Sequence, residues 1–293
     1  MAKKSKKKSG KAELLDVKVG DLLRAPSVPV RLADLEPRST PGGPKDRAAA
    51  EAQIADWAPR LADLQERLYA DGRDADAGRI LMVIQGMDTS GKGGVMKHVI
   101  GMLEPVGVQS HAFKAPTEQE KKHDFLWRFR GRLPTPGQIT VFDRSYYEDV
   151  LIVRVHDLVP RTVWGRRYTL INRFEQHVVD SGTTIIKVML HISKDEQKQR
   201  LLERLSDPTK LWKYNPADVD ERLHWDDYVA AYEAVLDKTN TDVAPWHVVP
   251  ADRKWYRNWA ISKLLLEHLE RINPVWPPPE FDVEREKARV LAS

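Results

Sequence analysis

The chain has 293 residues, a length that suits one large domain or two small ones, and it contains neither an internal repeat nor a second set of motifs. It has no cysteine and no apolar run near the eighteen or so residues that a membrane span needs. These features exclude disulfides, thiolate metal sites and membrane-spanning helices. Because no signal-peptide pattern is present either, we expect a cytoplasmic protein that is not embedded in a membrane.

The net charge of +4 is unevenly distributed, because residues 1–11 contain six lysines and no acid. The rest of the chain is therefore slightly acidic. We expect residues 1–15 to form a disordered, Lys-rich tail. Such a tail either keeps the protein in solution without a specific partner or contacts a nucleic acid, a membrane surface or a long polyanion.

Three segments precede the first motif. Residues 17–44 are interrupted by Pro and Gly and predict an irregular arm lying over the body. Residues 45–68 carry apolar side chains at helical spacing, which predicts a long amphipathic helix. Residues 80–84 form an apolar run that is typical of a strand buried on both faces of a parallel sheet.

A glycine-bracketed loop follows this strand directly. Residues 86–92 match G-x-x-x-x-G-K, a pattern whose backbone N–H groups wrap phosphate oxygens while Lys92 reaches the same group. We expect a helix from Gly93 to Leu103 behind the loop. Lys92 is a candidate catalytic residue, and the candidate phosphate-binding residues are Gly86, Met87, Thr89, Ser90, Gly91, Gly93 and Gly94.

Two residues distinguish this loop from that of an ordinary nucleotide triphosphatase. Gly93 stands where the standard motif has a Ser or Thr whose hydroxyl binds Mg²⁺, so the metal must find another oxygen ligand. Asp88 lies inside the loop, where a carboxylate is compatible with bound phosphate if a cation or a phosphate-bearing acceptor mediates. The alternative is that Asp88 only caps the turn.

A capping box lies between the second and third predicted strands. Thr117 and Glu120 have the spacing that begins a helix, which we expect to run to about Arg130. Asp124 and Arg128 lie within one turn of that helix. Arg128 either binds an acceptor phosphate or pairs with Asp124 on the surface.

Residues 107–113 and 138–142 predict the second and third strands. The third strand ends at Asp143, and open parallel sheets bind ligands and metals at the carboxyl ends of their strands. In phosphoryl-transfer sites such an acid holds Mg²⁺, and Arg144 would face the transferring phosphoryl group. The alternative is a structural turn in which Asp143 and Arg144 pair as a salt bridge.

The following segment continues the alternation of helices and strands. Residues 148–180 are predicted to be mainly helical, and the β-branched run 183–192 predicts a fourth strand. Ser193, with Glu196 three residues later, begins the next helix.

On that helix Arg200 and Arg204 share one face. Immediately beyond it, residues 205–217 carry Lys210 and Lys213 between prolines. We interpret this segment as a basic lid that closes on phosphate and excludes water, with a solvated helix end as the alternative.

The chain closes with a helix over residues 217–236, a strand over 246–250 and a helix over 252–271, before a Pro-rich tail. Strands and helices alternate throughout. We therefore predict an α/β fold, a three-layer α/β/α sandwich with a mostly parallel central sheet.

Together these motifs resemble the type-2 polyphosphate kinase family over roughly residues 15–275. An Asp inside the phosphate loop and a Gly after its Lys are departures from other P-loop kinases that this family shares. The segments that carry the resemblance are Gly86–Gly93, Phe113–Pro116, His123–Arg128, Phe142–Tyr146, Asp207–Lys213 and Pro245–Arg253.

The resemblance implies a polyphosphate:nucleotide phosphotransferase. Such an enzyme reversibly moves the terminal phosphoryl group of inorganic polyphosphate to AMP, ADP or a guanine equivalent, with Mg²⁺ or Mn²⁺. It also implies a P-loop kinase-like fold, with a single domain over residues 16–275, a helical lid, a C-terminal tail over 276–293, and assembly as a homo-oligomer, a dimer or a tetramer.

Residue roles follow from the same resemblance. Asp88 and Asp143 would bind the metal, and Lys92, Arg144 and Arg204 would neutralise charge on the transferring group. The remaining roles are a polyphosphate path lined by Arg200, Lys210 and Lys213, and a nucleotide site formed by Lys114, Pro116, Asp124, Arg128, Tyr147 and Glu148.

Two other functions compete with this one. An ATP-dependent nucleoside monophosphate kinase would share the loop, the lid and the sheet. A non-catalytic protein that binds polyanions or nucleic acid would depend on the Lys-rich tail instead.

Overall fold

The computed structural model describes residues 18–26 and 29–293. The predicted Lys-rich tail lies outside these residues. In the described part, no helix is long and apolar enough to cross a lipid bilayer.

A five-stranded, all-parallel sheet forms the centre of the molecule, in the order β2-β3-β1-β4-β5. The α/β fold predicted from the sequence is therefore confirmed. The strands are β1 Arg79–Gln85, β2 Val108–Ala112, β3 Ile139–Asp143, β4 Thr183–His191 and β5 Trp246–Pro250.

Helices cover both faces of the sheet. In the described residues the α-helices are α1 Val19–Leu23, α2 Arg47–Asp71, α3 Lys92–His98, α4 Trp127–Arg130, α5 Ile152–Val155, α6 Arg161–Asp180, α7 Lys194–Ser206, α8 Ala217–Glu221, α9 Trp225–Thr239, α10 Lys254–Ile272 and α11 Val283–Leu291.

The three layers follow from the two-residue period of the strands. In β1, Ile80, Met82 and Ile84 are buried in the core that contains side chains of α2, α3 and α10. The alternate residues Leu81 and Val83 are buried in a second core with side chains of α6 and α9. A strand that is apolar on both faces is buried on both, which explains why the uninterrupted run in β1 was a reliable strand signal.

The strand order creates a crevice at the carboxyl end of β1. In the sheet, β1 lies between β3 and β4. After β1 the chain adds β2 and β3 on one side of it and then crosses over to add β4 and β5 on the other side. Ligands bind at such a switch point in open α/β sheets. The phosphate loop begins here, and Asp143 is the register partner of Ile84, the penultimate residue of β1.

Two predicted helices are shorter than expected. The helix after the phosphate loop ends at His98 and is followed by a separate 3₁₀ turn, Ile100–Met102, consistent with the poor helix propensity of the glycines in this stretch. The capping box at Thr117 and Glu120 does form, with reciprocal bonds of 2.8 and 3.2 Å. It caps only one 3₁₀ turn, because Asp124 starts a new turn by accepting the Leu126 N–H.

The C-terminal segment also differs from the prediction of a tail without secondary structure. It contains α11, which Asp282 caps by accepting the Arg285 N–H at 3.0 Å. The predicted helical lid, residues 205–217, contains the end of α7, a 3₁₀ turn at Leu211–Lys213 and the first residue of α8.

A substitution at Gly137, just before β3, tests how α2 is fixed against the sheet. Its φ is +78°, and an added Cβ would lie 2.6 Å from the Gly72 Cα and 2.9 Å from the Leu68 carbonyl oxygen. We expect Gly137→Ala to lower the free energy of unfolding by about 2–4 kcal/mol in urea titrations. In the matched control Gly165→Ala, no atom lies within 4 Å of the added carbon, and we expect a gain of about 0.5–1 kcal/mol. Equal effects at the two sites would contradict this packing account.

Candidate active site

The phosphate loop connects β1 to α3 and has left-handed backbone at Thr89 (φ 60°) and Gly91 (φ 112°). Gly91 immediately precedes α3, and a Cβ at that residue would overlap the guanidinium of Arg257. Glycine is therefore required at this point both for the backbone angle and for the approach of the arginine.

The Lys92 ammonium lies across the loop that precedes it. Its Nζ donates to the carbonyl oxygen of Gly86 at 2.7 Å and weakly to that of Met87 at 3.4 Å. Burial lowers the pKa of Lys92, while the charges of Asp88 and Asp143 act in the opposite direction. The lysine is therefore close to both acids that the sequence analysis singled out.

Arg144 joins the end of β3 to the phosphate loop. Its Nη2 donates to the Asp88 Oδ1 at 2.8 Å, and its main-chain N–H donates to the Ile84 carbonyl at 3.1 Å. Burial disfavours the charged guanidinium, but Glu148 and Asp88 outweigh that effect and raise the pKa of Arg144. The Asp143 carboxylate faces the same cavity as Asp88 and forms no ion pair with a residue of the described chain.

Arg200 of α7 fastens the loop to the body of the protein. It is buried, and its guanidinium donates to the carbonyl oxygens of Thr89 and Ser90 at 2.9 Å each. The other Nη donates to the carbonyls of Ala251 and Asp252 at 2.5 and 3.1 Å, at the junction of β5 and α10. One side chain thus links the phosphate loop, α7 and the last strand.

Arg257 of α10 is a buried cation that rests on the loop. Its guanidinium contacts Gly91 and Gly94 and donates to Asn258 Oδ1 at 2.8 Å. It forms no salt bridge with any residue in the described ranges. Burial and the neighbouring charge of Arg200 lower the pKa of Arg257 to about 10, so the group is still cationic at neutral pH.

A cavity of about 1190 Å³ extends outward from the loop between α2, α3, α7, α10 and the lid. Several of its cations are already neutralised, including Arg204 by Asp218 at 3.2 Å and Lys254 by Glu203 at 2.9 Å. The cations that line the cavity are Arg38, Arg47, Lys92, Lys97, Arg200, Arg204, Lys210, Lys213, Arg253, Lys254 and Arg257. We call this cavity the basic groove.

A smaller cavity of about 190 Å³ lies on the other side of the Asp88–Arg144 ion pair. Asp88 and Asp218 line both cavities. The smaller one is walled by three aromatic side chains, Trp225, Tyr228 and Tyr232, together with the acids Glu148 and Glu221. We call it the aromatic pocket. The basic groove and the aromatic pocket therefore meet at the phosphate loop.

A comparison with protein families matches residues 44–275 to the model described as polyphosphate kinase 2. The chain belongs to the polyphosphate kinase 2 family. It is 45% identical over 254 residues to the AMP/ADP-polyphosphate phosphotransferase of Meiothermus ruber, covering 87% of this chain and 94% of that one. It is 44% identical over 230 residues to the ADP-polyphosphate phosphotransferase of Rhodopseudomonas palustris, covering 74% and 78%.

The solved structures agree with this membership. The fold matches the crystal structure of polyphosphate kinase 2 from Arthrobacter aurescens TC1 with a TM-score of 0.91 and 49% identity, over 94% of this chain and 98% of that one. A polyphosphate kinase 2 structure from Pseudomonas aeruginosa PA01, described there as putative, matches with a TM-score of 0.75 and 31% identity, over 88% of this chain and 52% of that one.

The structure of this family member brings most of the predicted catalytic residues together. Asp88, Lys92, Asp143 and Arg204 all line the basic groove, and Arg144 adjoins them from the aromatic pocket. Of the predicted polyphosphate residues, the groove is also lined by Thr89, Gly91, Gly93, Gly94, Arg200, Lys210 and Lys213, whereas Gly86 and Met87 line the aromatic pocket and Ser90 is buried beneath the loop.

Two of the candidate residues make contacts within the protein that the sequence analysis did not predict. Tyr147 is completely buried and its hydroxyl bonds to Glu175, so it is not exposed to a nucleotide. Arg128 does not pair with Asp124, because Arg128 bonds to Glu120 and to the Lys114 carbonyl instead.

The other residues predicted to bind the nucleotide do not all lie at one site. Asp124 pairs with Arg130 at 2.7 Å. Lys114, Pro116, Asp124 and Arg128 line neither the basic groove nor the aromatic pocket, while Glu148 does line the aromatic pocket. Arg200 lines the groove, but its donors are directed at protein carbonyls, which favours a role in holding the loop.

Sequence reasoning missed Arg257 and the aromatic pocket. Arg257 follows the loop by more than 160 residues, and no local pattern marks it. Trp225, Tyr228 and Tyr232 recur at helical spacing, a pattern that more often marks core packing than a binding site. Only Tyr232 is buried, and the other two are partly exposed at the pocket.

Arg257 offers a direct test of the groove. Replacing it by methionine keeps the volume and removes an uncompensated charge beside the loop. We expect Arg257→Met to weaken tripolyphosphate binding about tenfold in isothermal titration calorimetry, which corresponds to about 1.4 kcal/mol. The control Lys254→Met removes a cation that Glu203 already pairs, and we expect less than a twofold change. Equal losses of affinity in the two variants would show that binding depends only on the total charge of the groove.

Proposed function

We propose that this protein is a polyphosphate-dependent nucleotide kinase. It transfers the terminal phosphoryl group of inorganic polyphosphate reversibly to AMP or ADP. The observation that carries this proposal is the meeting of Asp88, Lys92 and Asp143 at the inner end of the basic groove. The relatives named as AMP/ADP- and ADP-polyphosphate phosphotransferases support the same reaction.

The basic groove is the proposed donor site. A polyphosphate chain carries about one negative charge per phosphate, and such a ligand requires cations spread along a path rather than at one point. Lys97, Lys213 and Arg257 line the groove without ion-pair partners in the described ranges, so their charge is available to a polyanion. Lys210 and Arg204 are paired with Asp207 and Asp218 and would exchange these partners for phosphate.

The aromatic pocket is the proposed acceptor site. It adjoins the loop at Asp88, so a nucleotide there would direct its terminal phosphate toward the donor chain. Tyr228 and Trp225 supply flat faces for a purine base. We propose that adenine nucleotides bind in this way, with guanine nucleotides as further acceptors.

The two acids fit a divalent cation. Among the described residues no cluster of three or more His, Cys, Asp or Glu side chains is arranged as a metal site. Two carboxylates nonetheless suit Mg²⁺, which commonly takes one or two from the protein and completes its shell with water and substrate phosphates. Asp143, which has no ion-pair partner among the described residues, and the free oxygen of Asp88 would hold it, and Mn²⁺ would bind the same oxygens.

When bound, this cation would neutralise negative charge on the phosphate groups. The other contributions to catalysis come from the protein itself. Lys92 and Arg144 supply positive charge where it develops on the transferring group, and the loop fixes the donor in line with the acceptor. No protein nucleophile is required, because phosphoryl transfer depends on positioning and charge neutralisation. We propose that closure of the lid over residues 205–217 excludes water from this centre.

Domain limits and assembly complete the proposal. We propose that residues 16–275 form a single catalytic domain, and that the protein assembles as a homo-oligomer, a dimer or a tetramer. An ATP-dependent nucleoside monophosphate kinase and a non-catalytic polyanion-binding protein are the competing functions. Formation of ATP from ADP that requires polyphosphate, and that does not release one AMP for each ATP as disproportionation of ADP would, distinguishes the proposed enzyme from both.

The catalytic residues are tested in that reaction. We expect Asp143→Asn and Lys92→Ala to lower kcat for ATP formation at least about 100-fold. Asp143→Asn removes a proposed ligand of the divalent cation, and Lys92→Ala removes positive charge that acts on the transferring group. Luciferase detection of ATP, with circular dichroism to confirm folding, provides the measurement. The matched control Asp180→Asn alters an exposed acid at the end of α6, and we expect unchanged kcat. Full activity in either site variant would refute the assignment.

The two binding sites predict opposite effects on KM. Tyr228→Leu removes an aromatic face from the acceptor pocket, so we expect KM for ADP to rise about five- to tenfold and KM for polyphosphate to change less than twofold. Lys213→Met removes an unpaired cation from the groove and should produce the reverse pattern. Steady-state kinetics with each substrate varied in turn will show whether the effects separate. A common rise in both constants would contradict the division into two sites.

A further inference from the structure

A completely buried ion pair lies on the face of the sheet opposite the phosphate-loop helix. Lys187 of β4 and Glu175 of α6 have no exposed side-chain surface and are 2.7 Å apart. Lys187 also donates to the Tyr147 hydroxyl at 2.9 Å and to the Thr239 carbonyl at 2.7 Å. All three ammonium donors are therefore satisfied. Burying two charges costs several kcal/mol, and an apolar pair often serves a core equally well.

Two consecutive tyrosines connect this pair to the active site. The hydroxyls of Tyr146 and Tyr147 both donate to Glu175 Oε1, at 2.8 and 2.7 Å. Both side chains are fully buried. Burial raises the pKa of each tyrosine well above its usual value, with the charge of Glu175 acting in the same direction, so both hydroxyls stay protonated as donors.

The tyrosines belong to the turn that presents the catalytic side chains. Asp143 ends β3, Arg144 follows in a left-handed conformation (φ 64°), and Ser145 caps the 3₁₀ turn Tyr146–Val150 that contains Glu148. A non-glycine residue at this φ is strained by about 1–2 kcal/mol and persists only where the surroundings hold it. The turn therefore requires anchors beyond its own backbone.

The anchors lie on opposite sides of the turn. On the side of the phosphate loop, the Gln85 side-chain amide lies 3.0 Å from the Ser145 hydroxyl. On the far side, the only hydrogen bonds of the Tyr146 and Tyr147 hydroxyls in the described chain are those to Glu175 and Lys187. Lys187 and Glu175 are themselves fixed by β4 and α6, which do not belong to the site.

We propose that Glu175 is a positioning residue for phosphoryl transfer. Its carboxylate holds the two tyrosine hydroxyls and so fixes the turn that carries Asp143, Arg144 and Glu148. Lys187 pairs with the carboxylate at 2.7 Å and orients it within the apolar core. This inference rests on the proposed function, because it assigns a purpose to the turn through the reaction that the turn supports.

A positioning role predicts a specific kinetic signature. A displacement of about 1 Å in a catalytic group can cost about 100-fold in rate, while the basic groove, built from other elements, keeps its affinity for the donor. Loss of the tyrosine anchors should therefore lower kcat without raising KM for polyphosphate. A merely structural role would lower the folded fraction instead, and would leave kcat per folded molecule unchanged.

The test compares Tyr146→Phe, Tyr147→Phe and the double variant with wild type in ATP formation from ADP and polyphosphate. We expect kcat to fall about three- to tenfold in the single variants and at least tenfold in the double variant, with KM for polyphosphate within twofold. The control Tyr168→Phe removes the hydroxyl of a buried tyrosine on the same helix as Glu175, outside the network, and should retain kcat within twofold. Thermal unfolding gives the folded fraction.

A second variant separates anchoring from buried charge. Glu175→Gln combined with Lys187→Met removes both charges but leaves a side-chain oxygen that can accept from the tyrosines, and we expect kcat within about threefold of wild type. The inference is overturned if the double tyrosine variant keeps wild-type kcat, or if its loss is matched by Tyr168→Phe. If wild-type protein itself makes no ATP from polyphosphate, the proposed function fails, and the outcome is distinct from failure of the anchor.

Discussion

The active site depends on the contact between the Arg200 guanidinium and the main chain of the phosphate loop. Two loop carbonyls, at Thr89 and Ser90, and two carbonyls beyond β5 converge on this one buried side chain. Carbonyl oxygens near a phosphate site would repel the ligand, and here a fixed positive charge compensates them. The same contact links the loop to α7, which leads into the lid, and to the start of α10, which carries Arg257. The phosphate loop and the basic groove are therefore held together as one unit.

Charge is distributed around this loop in two ways. On the groove side, cations outnumber the acids that neutralise them, which prepares a path for a polyanion. On the pocket side, Asp88 and Glu148 hold Arg144, and the aromatic walls begin immediately beyond. The phosphoryl group would therefore cross from a cationic surface to a nucleotide at the line where the two environments meet.

The sequence predicted the features that depend on local pattern. Apolar runs predicted buried strands such as β1, and the glycine spacing predicted the phosphate loop. The capping box at Ser193 predicted the start of α7, where the Glu196 N–H donates to the Ser193 hydroxyl at 3.1 Å. Features that depend on tertiary contacts were not predictable. Arg257 reaches the loop only because α10 packs there, and the capping box at Thr117 did not extend into a long helix because Asp124 competed for the next backbone donor.

Tracing the transferred phosphorus atom tests the central claim most directly. Polyphosphate labelled with ³²P is incubated with unlabelled ADP, Mg²⁺ and the purified protein, and the nucleotides are separated. The account predicts that label enters the γ-phosphate of ATP with wild-type protein and that Asp143→Asn abolishes the transfer. Label that appears only as inorganic phosphate, or ATP that forms without label, would contradict transfer from polyphosphate to nucleotide at this loop.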